Sequence, residues 1–315
     1  NHFPDYLWRN ETREPLPNVV TPVGDHGGGY ATKKEKFADD LFAEESLRFV
    51  ERNRDRPFFL YWSMVIPHAN NERTAVLQDG ADAPDFGPYA EASWPDPDKG
   101  QAALVTLMDS YVGRMLRKLR ELGIDKDTLV VFSSDNGPHR EAGQDPERFD
   151  PNGPLTGYKR DLTDGGIRVP FIAWWPGVIP AGSTTREFLT SLELLPTFAA
   201  VAGARLPTDL TLDGFNLLPV LQGRLKSPRS EMFWDWPSAF QVARVGDLKW
   251  VSYTPRGRRG EVPPKEELYD VAQDPGEKRD LAATRPADLQ RVKARFQAWR
   301  AEMEATEPRG PFRNF

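Results

Sequence analysis

The sequence predicts an α/β protein whose sheet is covered by helices on both faces, followed by a smaller sheet-and-helix region. Three observations carry this. Helical stripes and short apolar runs alternate through the first two thirds of the chain. The apolar runs, such as "TLVVFSS", have the length of strands and stop at turn residues. From about Pro228 the texture changes to short alternating strands and a final helical stripe.

Residues 1–30 are rich in Pro, Asn and Gly and read as irregular. Phe37 to Asn53 carries Phe37, Leu41, Phe42, Leu47 and Val50, an imperfect helical stripe. "RPFFLYWSMVIPH" follows, and its length and composition predict a buried strand over Phe58 to Ser63. Residues 67–100 read as a long Pro, Asp and Gly loop, and such loops are often functional. Leu104, Met108, Tyr111, Met115 and Leu119 recur at spacings of three and four, with Gly123 as the stop signal, so an amphipathic helix is expected there. "TLVVFSS" and "RVPFIAWWP" are the next strands, and "SLELLPTFAAVAG" is a helix with a bend expected at Pro196. "FQVARVGDLKWVSY" and "EELYDV" read as short antiparallel strands, and Leu289, Val292, Phe296 and Trp299 mark one face of a terminal helix. The composition shift within Gly223 to Ser230 places a domain boundary there, giving domains 1–227 and 228–315.

Bulk composition excludes several classes. The 315 residues are 39% hydrophobic and 28% charged, as expected of a chain that buries a core in water. A net charge of −6 with both signs interspersed argues against nucleic acid as the main partner. No run approaches the roughly 20 apolar residues of a membrane-spanning helix. With no cysteine, neither a disulfide nor a thiolate metal site can form. The chain starts at Asn1 and shows no signal peptide, so processing or a longer parent chain is expected.

"VVFSSDNGPHREAG" poses the chemical question. An apolar run ends in Asp135 and Asn136, followed by Gly137, Pro138 and His139. In open α/β sheets, ligands sit beyond the carboxyl ends of the strands. A carboxylate and an amide carbonyl are hard oxygen donors that suit Ca²⁺ or Mg²⁺ rather than Zn²⁺. The same two residues could instead form an Asx-type turn after the strand.

Read together and in order, "RPFFLYWSMVIPHANNE", "MDSYVGRMLRKLRELGIDKDTLVVF", "SSDNGPHREAG", "GYKRDLTDGGIRVPFIAWWPGVIPAG" and "LELLPTFAAVAGA" closely resemble the sulfatase family, in particular its bacterial arylsulfatase-A-like members. The resemblance runs from about Phe37 to Leu221 and more loosely through "ELYDVAQDPGEKRDLA". It implies an alkaline-phosphatase-like fold with a mixed, mostly parallel sheet between helices, plus a small C-terminal α+β domain. It implies hydrolysis of sulfate esters to alcohol and sulfate. By resemblance, Asp135 and Asn136 ligate calcium, with Mg²⁺ as the lesser alternative. His68 binds the sulfate group and protonates the departing alcohol, and Lys159 contacts the sulfate. His139 lies next to the metal pair and either contacts substrate or shapes the loop. Asn70, Asn71 and Glu72 are further pocket candidates, whereas Arg168, Trp174 and Trp175 read as structural. The chemistry agrees: charge develops on the leaving oxygen, and His is the side chain that titrates nearest neutrality.

The family's nucleophile is a formylglycine made in a C/S-x-P-x-R segment. Neither a cysteine nor an S-x-P-x-R run occurs in this sequence, and Asp39-Asp40 lie inside a helical stripe rather than at a strand end. The expectation is therefore the later part of a sulfatase, inactive by itself, whose formylglycine lies upstream. The expected partner is a sulfated small molecule or sulfated glycan, with no nucleic acid, no membrane span and the oligomeric state left open. Family habit implies a periplasmic or secreted protein. The alternatives are a phosphonate or phosphate monoester hydrolase of the same superfamily, and a non-catalytic, calcium-dependent sulfoglycan-binding protein.

Overall fold

Asn10 adopts a left-handed φ of 54°, and the chain reverses there. Tyr6–Arg9 (β1) pairs antiparallel with Thr12–Pro15 (β2), Tyr6 facing Pro15 and Arg9 facing Thr12. The geometry is that of a computed structural model describing residues 1–25, 27–209, 211–236, 240–254 and 264–306. Val19–Pro22 (β3) and Gly29–Lys33 (β4) form a second antiparallel pair. The irregular N-terminal stretch expected from composition is thus two hairpins. Pro, Asn and Gly punctuate the turns and strand ends, while the backbone between them is paired.

The chain divides into two compact units. The first comprises Asn1–Phe132, His139–Pro151 and Ile172–Ala181; the second comprises Ser133–Pro138, Asn152–Phe171 and Gly182–Phe315.

In the first unit, Ala38–Asn53 (α1) opens with Asp39 and Asp40 in its first turn, where negative charge suits the helix dipole. Asn71–Leu77 (α2) lies within the stretch expected to be a loop. Asp96–Glu121 (α3) follows Pro95 and buries Leu104, Tyr111, Met115 and Leu119, the stripe its spacing predicts. It stops at Leu122, and Gly123 supplies the positive φ of 69° beyond the cap. The Tyr111 hydroxyl donates to Asp40 Oδ1 at 2.6 Å, tying α3 to α1. Val130–Ser133 (β5) and Phe171–Trp174 (β6) are hydrogen-bonded neighbours.

The buried strand expected at Phe58 to Ser63 is not formed. Among the described residues no strand pairs with this segment. Phe58, Leu60 and Trp62 pack near Val50, Met115 and Leu119, while Phe59 and Tyr61 are exposed. Apolar composition alone does not make a strand, because a ladder needs a second backbone beside it.

In the second unit, Leu194–Val201 (α4) is led in by a 3₁₀ turn capped by Thr190. Pro196 falls in the first turn, where its missing N–H is harmless, so the bend expected there has no cause. Glu231–Trp236 (β7), Phe240–Val245 (β8), Leu248–Tyr253 (β9) and Lys265–Asp270 (β10) form an antiparallel sheet in the order β10-β9-β8-β7. Pro286–Thr306 (α5) covers it, with Leu289, Val292 and Phe296 against Ala243, Leu248, Trp250 and Leu268. Among the described residues, no helix is long and apolar enough to cross a membrane.

Candidate functional site

His68 stands exposed just beyond the apolar run, between half-buried Pro67 and buried Ala69. Its backbone N–H donates to Val65 O at 3.0 Å. The N–H of Val65 in turn donates to Asp39 Oδ1 at 2.9 Å. Asp39 is fully buried, and burial pushes its carboxyl up to about 6. On the other side, the Asn70 N–H donates to Gly80 O at 2.8 Å, and Asn70 Oδ1 caps α2 through the Arg73 N–H. Asn70 is thus buried and anchors the turn that follows His68.

The His68 ring is oriented by its own neighbour. Nδ1 lies 2.7 Å from Ala69 O, so Nδ1–H donates there. In the neutral ring Nε2 is then the nitrogen without a hydrogen. The His139 ring centre is 6.2 Å away. His139 Nδ1 accepts the Glu141 N–H at 3.1 Å, and Nε2–H donates to Pro67 O at 3.3 Å. Both its ring nitrogens thus hold backbone.

Asp135, Asn136 and Lys159 all belong to the second unit. The turn after β5 exposes Asp135 and half-buries Asn136. The Asn136 side-chain amide donates to Gly137 O at 2.8 Å, which directs Oδ1 away from that bond as an oxygen donor. The turn is fastened to the Gly157–Gly166 loop at two points. The Gly137 N–H donates to Gly166 O at 2.9 Å, and the Lys159 N–H donates to Pro138 O at 2.7 Å. A Cβ on Gly137 would lie 1.9 Å from Gly165 O, so only glycine permits this approach.

The same loop is anchored from beneath. Lys249, on β9, is wholly buried, with Nζ 2.8 Å from Asp164 Oδ1 and 2.9 Å from Glu277 Oε1. Glu277 also accepts the Asp164 N–H, and Thr156 Oγ1 donates to Gly276 O. Burial raises the Glu277 carboxyl above its ordinary range, against the pull of Lys249. Sequence reading passes over Lys249, Glu277 and His2 and sees Asp39 only as part of a helical stripe, because each meets its partner only after folding.

The Asp135–Asn136 donor set fits calcium in kind: an exposed carboxylate and an amide oxygen, with no nitrogen or sulfur. It supplies part of a shell of about 6–8 oxygens. Among the described residues no cluster of three His, Asp or Glu side chains could hold a metal unaided.

Residues 1–204 match the family described as Sulfatase, and residues 157–302 match the N-sulphoglucosamine sulphohydrolase C-terminal family. Human (Homo sapiens) arylsulfatase A is 32% identical over 308 residues, covering 90% of this chain and 55% of that protein. Rattus norvegicus steryl-sulfatase is 36% identical over 207 residues, covering 64% of this chain and 33% of that protein. Sus scrofa N-acetylgalactosamine-6-sulfatase is 29% identical over 275 residues, covering 79% and 49%. The chain spans about half the length of arylsulfatase A and of the N-acetylgalactosamine-6-sulfatase. Among solved structures, Ps i-CgsB in complex with k-i-k-neocarrahexaose superposes with a TM-score of 0.69 at 25% identity, covering 86% of this chain and 57% of that one. The PsFucS1 sulfatase from Pseudoalteromonas sp. superposes at 0.65 with 24% identity, covering 84% and 53%, a likeness of fold alone. The fold is the alkaline-phosphatase-like α/β type of these neighbours. With the family match spanning Asn1 to Ala204, the chain belongs to the sulfatase family.

Proposed function

We propose that the complete protein is a sulfuric ester hydrolase and that this chain carries its proton donor and its sulfate clamp. The observation that carries the reading is the His68 ring, whose Nδ1–H is committed to Ala69 O at 2.7 Å. As the S–O ester bond breaks, its electron pair passes to the alcohol oxygen, and protonated Nε2 of His68 delivers the proton that completes the alcohol. The Lys159 ammonium attracts the anionic sulfate oxygens, on a loop that its own backbone N–H fastens to Pro138 O at 2.7 Å. Asp135 and Asn136 would hold a calcium ion, which when bound supplies positive charge for those oxygens. His139, with both nitrogens on backbone, shapes the loop beside His68. The formylglycine nucleophile belongs to a segment outside these 315 residues, which contain no cysteine.

In this reading residues 1–227 are the later part of the catalytic domain and residues 228–315 a C-terminal domain, built on the β7–β10 sheet and α5. Export to the periplasm or beyond accompanies the reading. The substrate is a sulfate ester of a small molecule or glycan.

His68→Ala in the complete protein tests the proposal. kcat should fall about 10²–10⁴-fold for esters of weakly acidic alcohols, and the loss should shrink for very acidic phenols, which leave without help. A loss equal across leaving groups would show that His68 does not act as the acid.

A further inference from the structure

His2 meets His68 from 66 residues away. Its side chain is 1% exposed, with the ring edge-on to Phe37 at 6.0 Å and 84°. Nε2 lies 2.8 Å from His68 O, and Nδ1 lies 3.2 Å from Asp82 O. Burial favours the neutral imidazole, lowering its pKa, and a neutral ring has one N–H. The shorter contact takes that proton, so Nε2–H donates to the His68 carbonyl. Asp82 is itself buried and held in an ion pair with Lys34, with Arg73 at 3.4 Å.

We propose that His2 is a positioning residue for His68, holding the peptide that follows the working ring. The inference rests on the reading of His68 as proton donor. On either side of His68 the backbone is anchored locally, through Val65 O and through Gly80 O. The His68 carbonyl is instead tied by the distant His2 side chain. That carbonyl shares a rigid peptide plane with the Ala69 nitrogen. Ala69 O, the acceptor of His68 Nδ1–H, sits in the next plane, which the Asn70 N–H holds on Gly80 O. Release of the His68 carbonyl would let ψ of His68 change and so move the ring relative to that fixed acceptor. The chain of cause runs from His2 Nε2–H to the His68 carbonyl, then to the alignment of the His68 ring on Ala69 O, and finally to the direction of His68 Nε2.

Two substitutions separate position from bulk. The Gln amide nitrogen reaches as far as His Nε2, whereas the Asn amide nitrogen reaches only as far as Nδ1. His2→Gln keeps the donor to His68; His2→Asn withdraws it while remaining polar. The first readout is the histidine tautomer by long-range ¹H–¹⁵N correlation at alkaline pH on the 315-residue chain, whose four histidines make assignment direct. His68 should show the Nδ1–H tautomer in the parent and in His2→Gln, and a tautomer mixture in His2→Asn. An unchanged Nδ1–H tautomer in a folded His2→Asn chain would overturn the proposal, as would failure of His2→Gln to keep it.

The second readout is kinetic, in the complete protein. His2→Asn should lower kcat about tenfold or more for poor leaving groups, with little change in KM and little loss for acidic phenols. In a His68→Ala background the same change should have no further effect. Losses that simply add would refute action through His68. If His68→Ala shows no leaving-group dependence, the acid reading falls, while the tautomer measurement still decides whether His2 positions the ring.

Discussion

Lys249 Nζ lies 2.8 Å from Asp164 Oδ1, and a β-strand of the C-terminal sheet is thereby pinned to the loop that bears Lys159. One buried ammonium serves two buried carboxylates, since Glu277 Oε1 is 2.9 Å from the same nitrogen. Such a triad is costly to desolvate and costly to break.

Lys249→Met should therefore destabilise the chain by about 3–5 kcal/mol in denaturant unfolding, because two carboxyls are left buried without a cation. Neutralising them as well, with Asp164→Asn and Glu277→Gln, should recover part of the loss. A Lys249→Met chain as stable as its parent would show that the triad bears no weight.

Asp39 links stability to pH. Its folded carboxyl is raised to about 6 from an ordinary 3.8, so the folded state keeps the proton to higher pH than the unfolded one. The associated stabilisation is full below about pH 4 and is lost as pH rises to about 6, amounting to about 3 kcal/mol. Urea unfolding of the parent should lose stability over this window relative to Asp39→Asn, which cannot titrate. Parallel pH profiles for the two chains would refute the assignment.

Gly137→Ala tests the fastening of the strand-tip turn. The added methyl would meet Gly165 O at 1.9 Å. It should lower stability by about 1–3 kcal/mol, as overpacking does. It should also weaken calcium binding by the complete protein, because Asn136 is the adjacent residue. Full calcium affinity with normal stability would mean that the turn and loop are not coupled.

Asp135→Ala should weaken calcium binding directly, by isothermal titration, and zinc should not restore activity, since the pair offers oxygen alone. Calcium affinity equal to that of the parent would remove Asp135 from the ligand set.

Much was legible from the amino-acid order. The stripes on α3 and α5 state their own period, and Leu104, Tyr111, Met115 and Leu119, then Leu289, Val292 and Phe296, are buried as that period requires. Asp135 and Asn136 were legible because an apolar run that stops at an acid and an amide exposes them at a strand end. The first 33 residues were not, since Pro, Asn and Gly mark a turn and a loop alike until the paired strands are seen. Phe58 to Ser63 failed in the other direction: composition reports apolarity, and pairing is a property of two segments.

The sequence by itself determined the helical stripes, the strand-tip oxygen pair and the candidate acid and cation at His68 and Lys159, because each is a local pattern. Tertiary structure alone decided what holds them. His2 reaches His68 across 66 residues, and Lys249 reaches Asp164 across 85. Neither pairing has a spacing that local periodicity could reveal. Hydrogen bonds and ion pairs between distant residues depend on atoms brought within about 3 Å by folding, and nothing in the order of the residues measures that distance.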